Sequence, residues 1–447
     1  MKSTLLSALR GLHQRKIFNP AANAFILRIL GAVFQFLFTL LLARLYGATG
    51  VGIFIIALSI LVVTSTIVRW GLDQTTLKLV AANLHQDDGS IQATVTYTKK
   101  VVLLSGIAGT AIVMLSSDWL ANIFFGTSDM SLVILLMSAS IIPLSLTTLY
   151  AEALRGLKRV NAYTMLHGVM IPLLSILLLL LYRFWNDNIV TGAAAYLSAS
   201  IFAFLFARVV WKRTTATLKP AGSITTQKKH EIFNTTHALA WIAIVSVAMS
   251  FTETFILSFF HDEESVGLYA AALRLALIPN FIIIAFNSIL APNFASLYQQ
   301  KKMPEIEALI RQSVLVMFAL TLPVVMVFVL FPASVLSIFG QEFKGGSTAL
   351  ILLSIGQLIN IIAGPVGILL QMSGHEKSFR NNVLFSSATT LILALLLIPP
   401  YKVLGASLSA VIGILILNTL SVFSVYKKLG INSLPIRITA LLSGTKS

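Results

Sequence analysis

Long apolar runs separated by short polar gaps set the pattern of this chain. They fall at 22–45, 51–70, 101–117, 131–151, 162–182 and 190–210. A polar segment follows from Trp211 to Thr236, and six more runs lie at 237–260, 266–290, 313–338, 348–370, 381–399 and 404–425. A hydrocarbon core about 30 Å thick takes about 20 helical residues. The pattern therefore predicts an all-α integral membrane protein with about 12 transmembrane helices, six on each side of the polar segment.

The two halves echo each other. GVGIFIIALSI (50–60) aligns with SVGLYAAALRL (265–275), placing Gly52 on Gly267 at an offset of 215. ALRGLKRVNAY (153–163) aligns with QMSGHEKSFRN (371–381) at an offset of 218. With six spans per half, both halves start on the same side, so the repeat is parallel and implies a pseudo-two-fold axis. This predicts an N-lobe over 1–220 and a C-lobe over 221–447. The basic, Thr-rich segment 211–236, with Pro220 and Gly222, reads as a flexible connection between them.

Composition agrees with burial in lipid. Of 447 residues, 57% are hydrophobic and 11% charged, against about 25% charged in a soluble domain. The net charge of +16 would suggest nucleic acid in a soluble protein, but no gap is long enough for a binding domain. The basic residues instead sort by side. The gaps on the side of the N-terminus hold 26 Lys and Arg; the other gaps hold 4, namely Arg44, Arg183, Lys344 and Lys402. Cytoplasmic loops collect such charge, so both termini are expected inside. The first twenty residues lack the apolar core of a signal peptide. The absence of cysteine excludes disulfides and thiol chemistry. There is no Walker loop, HExxH or GxSxG, so the chain reads as no enzyme, and neither metal nor cofactor is expected. His167 reads as a packed or interfacial residue.

Ionisable residues inside spans are costly and usually face a cavity. Three stand deep: Arg28, Glu253 and Arg274. Arg28 shares a helix face with Gln35 and Thr39, which fits an aqueous lumen or an arginine snorkelling to the headgroups. Glu253 and Arg274 lie at similar depth on either side of the turn near 263–264. Their spacing predicts an ion pair, either lining a cavity beside Ser246 and Ser250 or clamping two helices. Under the 215 offset Arg28, Glu253 and Arg274 map to Ala243, Phe38 and Ser59, so none is duplicated. Gln357 and Asn360, with Asn280 and Asn287, are candidates to line the cavity or to bond between helices. Pro143, Pro172, Pro279, Pro323 and Pro365 permit bends, and Gly364-Pro365 is the foremost hinge candidate. Asp73 and Glu152 read as helix-end charges.

Several stretches, in this order, resemble the polysaccharide transporter family, the O-antigen flippases of the multidrug/oligosaccharidyl-lipid/polysaccharide exporter superfamily. They are ARLYGATGVGIFIIALSI (43–60), WGLDQTTLKLVAANL (70–84), ALRGLKRVNAY (153–163), ETFILSFFHDEESVGLYAAALRLA (253–276), LAPNFASLYQQ (290–300) and GILLQMSGHEK (367–377). The resemblance implies two bundles in a V around a central cavity, in the bacterial inner membrane. It implies an undecaprenyl-diphosphate-linked oligosaccharide as cargo, moved to the outer leaflet by alternating access. Membrane lipids are implied partners, as are a polymerase or other polysaccharide-assembly proteins. Arg28 and Arg274 are then candidates to hold the diphosphate, since a guanidinium offers forked donors. Family members often carry Asp near the end of span seven; here Glu253 stands there. Two alternatives remain. A multidrug-type cation-coupled antiporter would be expected to show deep acidic residues in the N-lobe. An aqueous channel would conduct ions and need no lipid-linked cargo.

Overall fold

A computed structural model describes residues 18–84, 88–123, 128–184, 188–218 and 226–433. Among them, nine helices are long and apolar enough to cross a membrane, or ten when the pair Leu239–Ser250 and Thr252–Phe260 is taken as one broken span. Two of the nine are far longer than a bilayer requires. Helix α1 (Phe18–Arg69) has 52 residues and a later helix (Glu376–Leu429) has 54. At 1.5 Å per residue each would extend about 80 Å, more than twice the hydrocarbon core. Each is interrupted near the gap read from sequence: α1 at Gly47 (φ 67°) and the other at Lys402 (φ 50°).

The helices group into two compact units: 1–46 with 53–251, and 47–52 with 252–447. The lobe boundary expected at 220/221 lies outside the described residues. The first unit continues after α1 with α2 (Leu72–Asn83), α3 (Asp88–Leu115) and the short α4 (Ser117–Ile123). Then come α5 (Ser128–Ala139), α6 (Ile141–Gly156) and α7 (Val160–Thr164), with a π-turn over Met165–Val169. It closes with α8 (Met170–Tyr182), α9 (Ile189–Thr214) and α10 (Thr226–Ser250). Its interior is packed by Val80, Ile91, Tyr150, Leu154, Leu166 and Trp211.

The segment expected to be a flexible connection is largely helical: α9 runs to Thr214 and α10 begins at Thr226. Its last residue, Thr236, and the adjacent His237 have partners in the loop and helix after α1. The Thr236 and Thr75 hydroxyls are 3.0 Å apart, and Trp70 Nε1 donates to His237 Nδ1 at 2.9 Å. Gly71 (φ 72°) makes room for this, because a Cβ there would stand 2.7 Å from the Ala240 nitrogen.

The second unit holds α11 (Thr252–Phe260), α12 (Glu263–Ala276), α13 (Asn280–Gln299), α14 (Met303–Leu330) and α15 (Pro332–Leu336). It ends with α16 (Ser347–Ala363), α17 (Val366–Met372) and α18 (Glu376–Leu429). Two runs read as single spans are broken at proline. Pro279 separates α12 from α13, and Gly364-Pro365 separates α16 from α17, with Gly364 at φ 81°. Proline cannot donate the next helical hydrogen bond, so the chain turns. Phe294, Ile310, Val314, Met317, Ile361 and Leu369 pack the core.

The aligned repeat segments meet inside this unit. A Cβ on Gly52 would stand 1.8 Å from the Glu263 carbonyl oxygen, and one on Gly267 would stand 1.9 Å from that of Ala48. Adding 215 converts Gly52 into Gly267 and Ala48 into Glu263. The contact is therefore reciprocal, as a two-fold relation between the segments requires. Both backbones approach this closely because neither glycine has a side chain.

Much of the outer surface is apolar. Leu104, Ile112, Leu396 and Phe423 are each more than half exposed. Patches of this kind fit a lipid surround.

Candidate functional site

The first unit concentrates charge where the sequence promised only topology. Arg69 ends α1 and Asp73 opens α2, separated by a tight turn at Trp70-Gly71. Arg69 Nε donates to Asp73 Oδ2 at 3.0 Å, and both side chains are about nine-tenths buried. Arg69 also donates through Nη1 to the Ser65 hydroxyl and through Nη2 to Thr66 Oγ1 at 3.1 Å. Ser65 in turn contacts the Ser145 hydroxyl of α6 at 2.9 Å. Each of the three guanidinium nitrogens thus has a partner, which favours holding the charge away from water.

A second acid–base pair lies one helix away. Glu152 in α6 is only 3% exposed. Its Oε2 accepts from Arg155 Nη1 at 3.4 Å, and the Gln74 and Tyr163 side chains lie beside it. Arg155 lies over the Tyr163 ring at 5.0 Å, a cation–π contact. The Tyr163 and His167 rings are 5.3 Å apart. His167, carried on the π-turn, lines a cavity of about 170 Å³ together with Ser65, Arg69, Thr147, Thr148 and Tyr196.

Arg28 belongs to this neighbourhood. It is exposed and close enough to Tyr163 and His167 to act on both electrostatically. Three residues on, Gly31 allows α1 to approach the Gly168 backbone, since a Cβ there would meet its carbonyl at 2.6 Å. The polar stripe expected beyond Arg28 is incomplete. Gln35 is exposed, but Thr39 is buried and returns its hydroxyl to the Gln35 carbonyl at 3.0 Å. A helix satisfies a lone threonine in this way without a lumen.

The second unit gathers amides. A cavity of about 300 Å³ is lined by Asn287, Asn360, Gln371, Asn418 and Ser421, beside the Gly364-Pro365 break. Asn418 Nδ2 donates to Asn360 Oδ1 at 3.1 Å, joining α18 to α16. The Asn287 Oδ1 is buried without a hydrogen-bond partner among the described residues, and so is Gln357 Oε1.

Glu253 and Arg274 are both half-buried, but the expected ion pair does not form; among the described residues no bridge joins them. Glu253 instead acts electrostatically on Tyr269, five residues before Arg274. The face shared with Ser246 and Ser250 is also interrupted, because the helix breaks at Phe251. Pairing depends on how each helix is rotated about its axis, which equal spacing from the turn does not fix.

The structure thus brings Arg28 to His167 and Tyr163, and Asn360 to Asn418 and Asn287. It leaves Glu253 and Arg274 apart. Reading the sequence missed Arg69, Asp73, Glu152, Arg155 and His167 as one cluster. The available signals were an Arg–Asp pair at i,i+4 and a Glu–Arg pair at i,i+3.

Comparison with known proteins agrees with this scaffold. The sequence profile of a family described as "Polysaccharide biosynthesis protein" matches residues 21–298. A putative O-antigen transporter of Shigella flexneri is 25% identical over 383 residues, covering 82% of this chain and 88% of that protein. A probable flippase, AglR of Haloferax volcanii, is 23% identical over 180 residues, covering 39% of this chain and 38% of that one. Among solved structures, an inward-facing multidrug resistance MATE family transporter of the MOP superfamily superposes with a TM-score of 0.73 at 16% identity, over 94% of this chain and 100% of that one. The lipid II flippase MurJ, in an inward closed conformation, gives 0.70 at 14% identity, over 94% and 93%. These likenesses show the fold, and the profile match over more than half of the sequence shows that the chain belongs to the polysaccharide biosynthesis protein family.

Proposed function

We propose that this chain is a flippase that moves an undecaprenyl-diphosphate-linked oligosaccharide, an O-antigen unit or similar, from the cytoplasmic to the outer leaflet of a bacterial inner membrane by alternating access. The match to a putative O-antigen transporter over 82% of the chain carries this reading. Taking α1 and α18 as two crossings each, and the pair broken at Phe251 as one, would make the nine or ten apolar helices twelve spans, as this reading requires. The charge bias of 26 to 4 supports a cytoplasmic position for both termini.

The chemistry of the first unit suits the charged part of such a cargo. Arg28 has no carboxylate partner among the described residues and stands beside a cluster whose own arginines are occupied. An arginine so placed can bind a diphosphate. Arg274 in the second unit is a second candidate. The amide-lined cavity of Asn287, Asn360, Gln371 and Asn418 offers donors and acceptors suited to sugar hydroxyls. Glu253, Gln35 and Gln357 are further candidates for contact with the cargo.

Reconstitution tests the reading. Proteoliposomes loaded with a prenyl-diphosphate-linked oligosaccharide on one leaflet should expose it to a lectin on the other. The Arg28→Ala and Arg274→Ala variants should slow this at least tenfold. Full activity in both would overturn the two arginine roles. Ion conductance or export of cationic drugs without lectin exposure would overturn the flippase itself.

A further inference from the structure

A second cavity of the first unit has no part in the reading above. It holds about 370 Å³ and is lined from α3 and α9 by Lys99, Arg208 and Lys212. Arg208 and Lys212 are four residues apart, so one face of α9 presents both. Among the described residues no carboxylate lines the cavity and none of the three cations is in an ion pair. The wall behind them is built. Tyr150 and Trp211 are buried with ring centroids 6.0 Å apart, and Gln92 is fixed by donating to the Thr215 carbonyl at 3.1 Å.

Three cations around one small volume repel each other, and an anion between them removes that penalty. The surroundings say which kind. On α3, Leu103, Leu104 and Ile107 are exposed within about two turns of Lys99. On α9, Leu205, Phe206 and Val209 flank Arg208 and are exposed as well. The basic cavity therefore adjoins exposed apolar helix surface, the pairing of charge and apolar area that a phospholipid headgroup and its chains present. A site for a soluble anion has no need of that apolar margin.

We propose that this cavity binds the phosphodiester headgroup of an anionic phospholipid. Lys99, Arg208 and Lys212 surround the phosphate, and the acyl chains lie on the exposed apolar faces of α3 and α9. Basic pockets between membrane helices bind lipid headgroups on this principle. The site is independent of the cargo and of its route.

The full chain in neutral detergent provides the test. Phosphatidylglycerol should raise its unfolding temperature by several degrees, while phosphatidylcholine and inorganic phosphate should not. The combined variant Lys99→Gln, Arg208→Gln, Lys212→Gln should lose most of that shift. A second measurement needs no charge change. Phosphatidylglycerol brominated on its acyl chains should quench tryptophan fluorescence more than brominated phosphatidylcholine, and Trp211→Phe should remove the excess. The proposal fails if the combined variant keeps the full shift or if inorganic phosphate reproduces it. It also fails if the two brominated lipids quench alike, a result that stands even where the combined variant does not fold.

Discussion

The two units carry different chemistry in their polar clusters. The first holds Arg69, Asp73, Glu152 and Arg155 beside His167, and the second holds Asn287, Asn360, Gln371 and Asn418. The repeat does not copy either set. Offsets of 215 and 218 carry Arg69 to Ile284, Asp73 to Ser288 and Glu152 to Leu370. The scaffold is constrained by membrane thickness and helix packing, which both halves share. The polar interior is constrained by what each half must hold. Charges in a low-dielectric site require fixed partners, whereas amides satisfy one another and tolerate an open cavity.

That difference should appear first in stability. Asp73→Ala strands the Arg69 guanidinium, and removing one member of a buried pair costs about 3–5 kcal/mol. Ser65 and Thr66 remain as acceptors, so the loss should fall at the low end. Unfolding in detergent measures it. Replacing Arg69 and Asp73 together by apolar residues should recover much of the loss. If Asp73→Ala were no worse than the removal of one asparagine from the second unit, the contrast between the units would collapse.

The next effect tests what the halves share. Gly52→Ala and Gly267→Ala each drive a methyl group into a backbone carbonyl. Overpacking of this kind costs about 1–3 kcal/mol, and rigid backbone on both sides favours the upper end. Because the contact is reciprocal, one separation of the two segments relieves both clashes. The double variant should therefore cost less than the sum of the singles, a coupling that a double-mutant cycle reads directly. Strict additivity would mean that the glycines serve separate contacts.

A smaller effect probes the amide cavity. Asn418→Leu removes the bond to Asn360 Oδ1, worth about 0.5–1.5 kcal/mol. Stability should fall by that amount. Transport should fall further if the cavity contacts sugar, as an oligosaccharide dose–response in the lectin assay would reveal.

The spans were legible because a bilayer imposes a long apolar run on every crossing, and Gly47 and Lys402 break the chain close to where the runs stop. The family was legible from the order of several loose motifs. The charged cluster was not. Arg69 and Asp73 sit at a helix end, where they look like loop charges, and Glu152 is 79 positions further along. Only the packing of α6 against α2 makes them one site. Glu253 and Arg274 failed in the opposite sense. The expected pair came from counting residues to the turn, but pairing also depends on how each helix is rotated about its axis, which that count does not contain.

The smallest effect lies at the turn that carries the reciprocal contact. Asp262 precedes α12 and accepts from the Ser265 nitrogen at 2.9 Å, a helix N-cap. The interaction with Ser265 holds its carboxyl below the ordinary range against the opposing effect of burial, helped by nearby Lys402 and His261. A folded value below the unfolded one stabilises the fold above the ordinary aspartate value of about 3.9, and that contribution disappears as pH falls through the folded value. Asp262→Ala should cost about 0.5–1 kcal/mol at neutral pH, the lower part of the range for caps because the side chain is exposed. The gap between wild type and variant should stay constant from about pH 5 to 8 and narrow only below about pH 4. A gap that changed between about pH 6 and 7 would mean that a group other than Asp262 sets the pH dependence of this turn.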